Sequence, residues 1–281
     1  MDTTELEARQ FSFTQRDFER TRRMIYARAG ISLGPSKVNM VYSRLSRRLR
    51  ALGLASVGNY LDLLEDDEAS GEWQSFTNAL TTNLTSFFRE NHHFEILREH
   101  LASRASAGPA RIWCAAASTG EEPYSIAMTA VDTWKSLTPP VSILATDVDT
   151  QVLATARAGV YPLERIESLE RGRQRRFFRR GTGTSEGSCR VADELRPLVR
   201  FECLNLLDPV WPIRAPLDAI FCRNVMIYFD EATQREILER FVPLLAPDGL
   251  LFTGHSESLL RASDLFRSCG RTVYRLAGAA S

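Results

Sequence analysis

The first chemical signal is a run of small residues followed by a pair of acids. Ala115-Ala116-Ala117-Ser118-Thr119-Gly120 follows the apolar run Ile112-Trp113-Cys114, and Glu121-Glu122-Pro123 comes next. A loop of small residues lets a ligand approach the backbone, and loops after strands are where α/β sheets hold nucleotide-like cofactors. A second apolar run from Val141 ends on Asp147, whose carboxylate can accept both hydrogen bonds of a ribose diol. Asp147 alone reads equally well as a helix N-cap. The loop lacks GxGxxG, and Glu121 and Glu122 stand where a pyrophosphate would meet helix N–H groups. Two carboxylates there would repel pyrophosphate but accept a cationic ligand without phosphate. S-adenosylmethionine (SAM) is such a ligand, which favours methyl transfer over dinucleotide redox chemistry.

These residues need a frame. Apolar runs at Val199–Leu204, Leu217–Cys222, Leu250–Thr253 and Thr272–Leu276 alternate with helical segments at Tyr124–Trp134, Thr150–Ala158 and Glu231–Leu245. Strand alternating with helix implies an α/β fold, a doubly wound and mostly parallel sheet. Asp147 and Val199 lie 52 residues apart, too far for a simple helical crossover. The interval holds eight arginines in Arg157–Arg180 and the turn-forming run 181–188, so an inserted antiparallel β-subdomain with a helix is expected over 160–198.

The N-terminal third has a different character. Arg16–Arg50 holds ten bases against Asp17 and Glu19, whereas Ala51–Phe88 has no base and six acids. Val38, Val41, Leu45, Leu49 and Leu52 recur at helical spacing, with Ser36 a candidate N-cap. Arg44, Arg47 and Arg50 then fall away from the stripe, with Arg48 at its border. Further helices are expected at Tyr60–Leu64 and Trp73–Leu84. An all-helical domain over 1–90 and a cofactor domain over 91–281 follow.

Composition narrows the classes. Thirty-five bases balance 35 acids among 281 residues, so no overall positive charge supports nucleic-acid coating. No apolar run approaches the roughly 20 residues that span a bilayer, and the polar, acidic Met1–Glu5 does not read as a signal peptide. A cytoplasmic protein is expected. The five cysteines contain no CxxC pair, so Cys114, Cys203 and Cys222 read as buried small hydrophobes in strands. His92, His93 and His255 have no partner cluster in the sequence. No metal is expected, and His255 reads as a hydrogen-bonding neighbour of the site.

Longer motifs carry a resemblance. Asn78–Glu90 (NALTTNLTSFFRE), Ala115–Ser125 (AAASTGEEPYS), Phe221–Phe229 (FCRNVMIYF), Pro247–Phe252 (PDGLLF) and Gly254-His255-Ser256-Glu257 resemble the CheR-type family of bacterial chemotaxis-receptor glutamate methyltransferases. The resemblance runs from about Phe11 to Leu276. It implies a SAM-dependent enzyme that esterifies glutamate side chains on the cytoplasmic helices of chemoreceptors. By resemblance, cofactor contacts fall on Asn83, Thr85, Arg89, Glu122, Asp147, Asn205, Leu206, Arg223 and Asn224. Either Glu121 or Glu122 could make the acidic contact, and Glu122 is chosen. Arg89 and Tyr228 are implied nearest the reacting centre.

The chemistry suits so short a list. A glutamate carboxylate is already ionised at neutral pH, so an in-line displacement needs no general base, only positioning and exclusion of water. Arg44, Arg47, Arg48 and Arg50 are expected to face the glutamate-rich receptor. Arg180, Gly181, Thr182, Gly183 and Arg190 resemble the version of the insertion that docks a receptor C-terminal tail peptide, with recruitment to membrane receptor clusters. Two other readings remain open: a SAM-dependent methyltransferase of another substrate, and a non-catalytic SAM-binding scaffold on receptors.

Overall fold

The computed structural model describes residues 10–104 and 108–278; Met1–Glu5 lie outside them. The chain forms two compact units. The smaller comprises residues up to Thr82 together with Tyr228–Asp230, and the larger holds Asn83–Ile227 and Glu231 onward. The division falls at Thr82–Asn83 instead of after residue 90.

Among the described residues the smaller unit contains α1 (Gln15–Ala29), α2 (Val38–Leu52), α3 (Val57–Asp66) and α4 (Glu72–Leu80). Their ends are written in the sequence. Thr14 and Asp17 form a reciprocal capping box at α1, Ser56 caps α3, and Gly30 and Gly53 end α1 and α2 in the left-handed region. Ser36 is not the cap of α2; it sits in a 3-10 turn, Pro35–Lys37, and the helix starts one residue later. Val38, Val41, Leu45 and Leu49 are buried as the spacing requires, but Leu52 is exposed, because the chain turns away at Gly53. Helix α4 stops at Leu80, short of the expected Leu84. Around these residues Phe18, Ile25, Tyr60, Leu61 and Phe76 complete a core of the unit's own.

The larger unit is built on a seven-stranded sheet. Its strands are β1 (Ala110–Cys114), β2 (Val141–Asp147), β6 (Val199–Cys203), β7 (Leu217–Phe221), β8 (Leu245–Phe252), β9 (Phe266–Gly270) and β10 (Val273–Leu276). The spatial order is β6-β2-β1-β7-β8-β10-β9, and only β10 runs against its neighbours β8 and β9. Strand β9 has no counterpart in the periodicity, since only Phe266 is buried and Arg267–Gly270 carry no apolar alternation. Helices α5 (His92–Ser103), α6 (Glu121–Trp134), α7 (Thr150–Ala158) and α9 (Glu231–Phe241) belong to this unit. The order reverses between β1 and β7, where an open α/β sheet leaves a crevice at the carboxyl ends of its strands.

The long interval after β2 holds a small three-stranded antiparallel sheet, ordered β3-β5-β4, and helix α8 (Arg171–Phe177). Its strands are β3 (Val160–Pro162), β4 (Phe178–Arg180) and β5 (Ser188–Val191). The insertion joins the core of the larger unit through Tyr161, Phe177, Phe178, Cys189 and Val191.

Candidate active site

Three loops converge on the crevice between β1 and β7. The Ala115 N–H donates to the Phe221 carbonyl (2.8 Å), which ties the loop after β1 to the end of β7. That loop then turns sharply through Ser118 (φ 48°) and Gly120 (φ 99°) into α6. A Cβ at Gly120 would lie 2.8 Å from both Ala156 Cβ and the Tyr161 hydroxyl. Only glycine fits there.

Asp147 closes β2 and is almost wholly buried. Its two oxygens accept from the N–H groups of Ser118 (2.8 Å) and Asp149 (2.9 Å). Burial raises its pKa to about 6 against the pull of these bonds. The N-cap of α7 is Asp149, which accepts from Gln151 N and Val152 N, so Asp147 is not the cap. Asn83 completes this corner: its amide donates to Asp149 (2.8 Å) and its carbonyl accepts from the Ser118 hydroxyl (3.0 Å). The segment Asn205–Leu206 follows β6, where Leu204 N donates to the Asp147 carbonyl (3.1 Å).

A second cluster surrounds Arg223, just after β7. Its guanidinium is buried, pairs with Glu122 (2.5 Å) and donates to the Arg89 carbonyl (2.6 Å). Glu90 lies 3.2 Å away on the same nitrogen group. Glu122 also accepts from the Cys114 thiol (3.2 Å). Burial pushes Glu90 up, but Arg223 and the His255 N–H pull harder and leave it below the usual carboxylate range. Asn224 (φ 57°) donates from its backbone to Glu257 (2.7 Å), which also accepts from Gly254 (2.6 Å). Burial raises the Glu257 pKa against those bonds. Thr85 is half-buried, and Arg89 reaches back from its own turn to the Leu84 carbonyl (2.9 Å).

Several sequence expectations change here. Glu121 and Glu122 are not free anions. Glu121 is fully buried on Arg165 (2.6 Å) and Glu122 on Arg223, so neither repels a phosphate as the sequence argument supposed. Of the two, Glu122 shares its bonds with Arg223 and, through it, with the Arg89 backbone. Cys203 is exposed, and Cys114 serves as a hydrogen-bond donor. The histidines do cluster: ligand atoms of Glu90, His92 and His255 come within 4.8 Å of one another. Glu90 there already lies in ion-pair range of Arg223. Buried His93 is pushed down to about 4 by desolvation and by Arg223, and so stays neutral.

Tyr228 falls in the smaller unit, where its carbonyl accepts from Ser32 N (2.8 Å). Arg44 is engaged there with the carbonyls of Ala79 and Thr81 and the Thr82 hydroxyl, and Arg48 makes a two-bond pair with Glu72 (2.8 and 2.7 Å). The expected basic face therefore reduces to Arg47 and Arg50, which are exposed; Arg50 also touches Gln10 and stacks over Phe11. On the insertion, Arg180 is exposed on β4, Gly181 donates to the Ser188 carbonyl (2.9 Å), and Thr182 and Gly183 (φ 60°) enter a 3-10 turn. Arg190 pairs with Asp193 at 3.0 Å. Sequence reasoning gave no role to Ser118, Asp149, Glu90 or Glu257, although all but Asp149 stand inside quoted motifs.

The strand order, the tight loop after β1 and the buried acid ending β2 define the class: a SAM-dependent methyltransferase domain. Comparison with known proteins gives the particular family. Residues 83–275 match the CheR methyltransferase SAM-binding domain and residues 16–81 match the CheR methyltransferase all-alpha domain. The chain belongs to the CheR methyltransferase family, and its cofactor is SAM. Chemotaxis protein methyltransferase 2 of Pseudomonas aeruginosa is 57% identical over 94% of both chains. The chemotaxis protein methyltransferase of Escherichia coli is 55% identical over 92% of this chain and 90% of its own. That of Borreliella burgdorferi is 34% identical over 88% of this chain and 90% of its own.

The site fits the cofactor on its own geometry. The small residues Ala115–Ala117 carry no bulk that would bar a ligand from the backbone, and the Asp147 carboxylate at the end of β2 is an all-acceptor group of the kind that takes ribose hydroxyls.

Proposed function

We propose that the chain methylates specific glutamate carboxylates on the cytoplasmic helices of chemotaxis receptors, giving methyl esters and S-adenosylhomocysteine. The observation that carries this reading is 57% identity, over 94% of both chains, to a protein described as a chemotaxis methyltransferase. When bound, SAM supplies a methyl group on a sulfonium. The chain's own residues have the simpler tasks of binding and aiming. Asp147 accepts the ribose hydroxyls, and Asn83, Thr85, Glu122, Asn205, Leu206 and Asn224 line the cofactor. Arg223 holds Glu122 and the Arg89 backbone together. Arg89 offers its planar guanidinium to one oxygen of the incoming carboxylate. A loose hold suits a nucleophile, since a tight ion pair would blunt it.

Partner recognition is assigned to two surfaces: Arg47 and Arg50 for the receptor helices, and the β4 edge for a receptor tail peptide. Strand β4 is an edge strand of the small sheet, and a peptide can add to such an edge. Docking of this kind raises the local enzyme concentration at membrane receptor clusters, where a cytoplasmic protein would be recruited.

Labelled SAM with receptor-containing membranes, followed by alkaline release of volatile methanol, tests the reaction. Alkali-stable label would point to another substrate class, and no transfer would point to a binding scaffold. Disrupting Gly183 or Arg190 should abolish binding of the tail peptide while sparing methylation of tail-less receptors, read by calorimetry and by the same methanol assay.

A further inference from the structure

The insertion touches both chain segments assigned to the cofactor, and the loop it touches needs support. Ser118 and Gly120 both have positive φ, with Thr119 between them. At Ser118, which has a side chain, such a conformation is costly and persists only when its surroundings over-determine it. Within the larger unit, part of that support comes from the insertion. The Tyr161 hydroxyl, on β3, donates to the Thr119 carbonyl at 2.7 Å and packs against Gly120. Arg165, four residues on, donates to one oxygen of the buried Glu121 carboxylate at 2.6 Å. The other oxygen of Glu121 accepts from the Thr119 hydroxyl, also at 2.6 Å. Thr119 is thus gripped twice, once through its backbone and once through its side chain.

The Arg89 segment is held from the same side. Phe87 meets the rings of Tyr161 and Phe178 edge-on, each at 5.2 Å between centroids. The Arg173 guanidinium lies 4.2 Å from the Phe88 ring centroid. One ring, that of Tyr161, therefore touches the turn leading to Arg89 while its hydroxyl holds the loop after β1.

We propose that Tyr161 and Arg165 are positioning residues for the cofactor site: the insertion fixes the loop 118–121 and the segment 83–89 in their SAM-binding geometry through them. The proposal rests on the assignment of those two segments to the cofactor. It gives the insertion a role separate from docking a partner. Neither residue touches the reacting atoms; both act through Thr119, Glu121 and Phe87.

Tyr161→Phe keeps the ring and removes only the grip on the Thr119 carbonyl. Arg165→Gln removes the charge facing Glu121, and Arg165→Lys returns it without the planar fork. Affinity for S-adenosylhomocysteine, measured by calorimetry on the folded full-length protein, should fall about fivefold in Tyr161→Phe and about tenfold in Arg165→Gln, the scale of one lost hydrogen bond. Arg165→Lys should recover part of the loss. KM for SAM should rise while KM for receptor stays unchanged. A role in stability alone would lower the melting temperature and leave the affinity of the folded protein intact. Asp147→Ala runs alongside. Unchanged affinity in Asp147→Ala would overturn the site assignment, and the proposal with it. Weakened binding in Asp147→Ala but wild-type binding in Tyr161→Phe and Arg165→Gln would overturn the positioning role alone.

Discussion

Asp147 sits between two demands, since it must be ionised to accept ribose hydroxyls but is buried. Its pKa of about 6 in the free protein, above the ordinary carboxylate value, means that the proton returns as pH falls through that region. A ligand that prefers the ionised form must then displace the proton. Affinity for S-adenosylhomocysteine is expected to be level above about pH 7 and to decline as pH drops below about 6, losing up to tenfold per unit. Asp147→Asn should bind weakly and show no such decline; a parallel pH profile in this variant would remove Asp147 from the site. At Arg89 the test is geometric. Arg89→Lys keeps the charge but not the fork, and turnover should fall by about tenfold or more, read as methanol released per minute. Near wild-type turnover would reduce its role to charge alone.

The helices show how a basic stripe can be structural. Arg44 holds the end of α4, and Arg48 holds Glu72 at the start of it, with the Tyr60 hydroxyl on the same carboxylate at 2.8 Å. Arg48→Met leaves Glu72, only 12% exposed in its side chain, without its charge partner. Breaking a pair of this kind on one side should cost about 2–4 kcal/mol, less than a fully buried pair loses; urea unfolding would measure it. Arg48→Met with Glu72→Leu should recover much of that loss, because it removes both charges together. If the single variant is as stable as wild type, the pair is surface decoration. Helical periodicity placed Arg44 away from the apolar stripe and Arg48 at its border, but only packing could show which of them had partners.

For the whole molecule, net charge is zero, so attraction to an acidic receptor must come from local patches. Arg47→Glu with Arg50→Glu should slow methylation of every receptor, and added salt should slow the wild type toward the same rate. A rate insensitive to both would move receptor recognition elsewhere. Stability should also depend on pH in one clear window. His93 is held neutral with a pKa of about 4, whereas the unfolded chain protonates it near the ordinary value of about 6.5. The unfolded state therefore binds more protons between those values, so this contribution is complete above about pH 6.5 and is lost as pH falls toward 4. Thermal unfolding of His93→Gln against wild type should show the two curves converging over that interval.

The sequence by itself determined the fold class and the motifs that mark the family. These depend on local features: 3.6-residue and alternating periods, left-handed glycines, small residues before a helix, and acids at strand ends. The β9 strand escaped because the four residues after Phe266 have no apolar alternation to read. The three-stranded form of the insertion escaped because β3 is three residues long and pairs with a strand 28 positions away. Tertiary structure alone decided the electrostatics. Glu121 and Glu122 are adjacent in sequence, yet their carboxylates go to different arginines, Arg165 and Arg223, 44 and 101 positions distant. Two neighbouring anions thus became two neutralised pairs, one bracing the loop and one tied to Arg89. The physical reason is that a charge is set by what lies within a few ångströms of it, and such distances between remote residues exist only after folding.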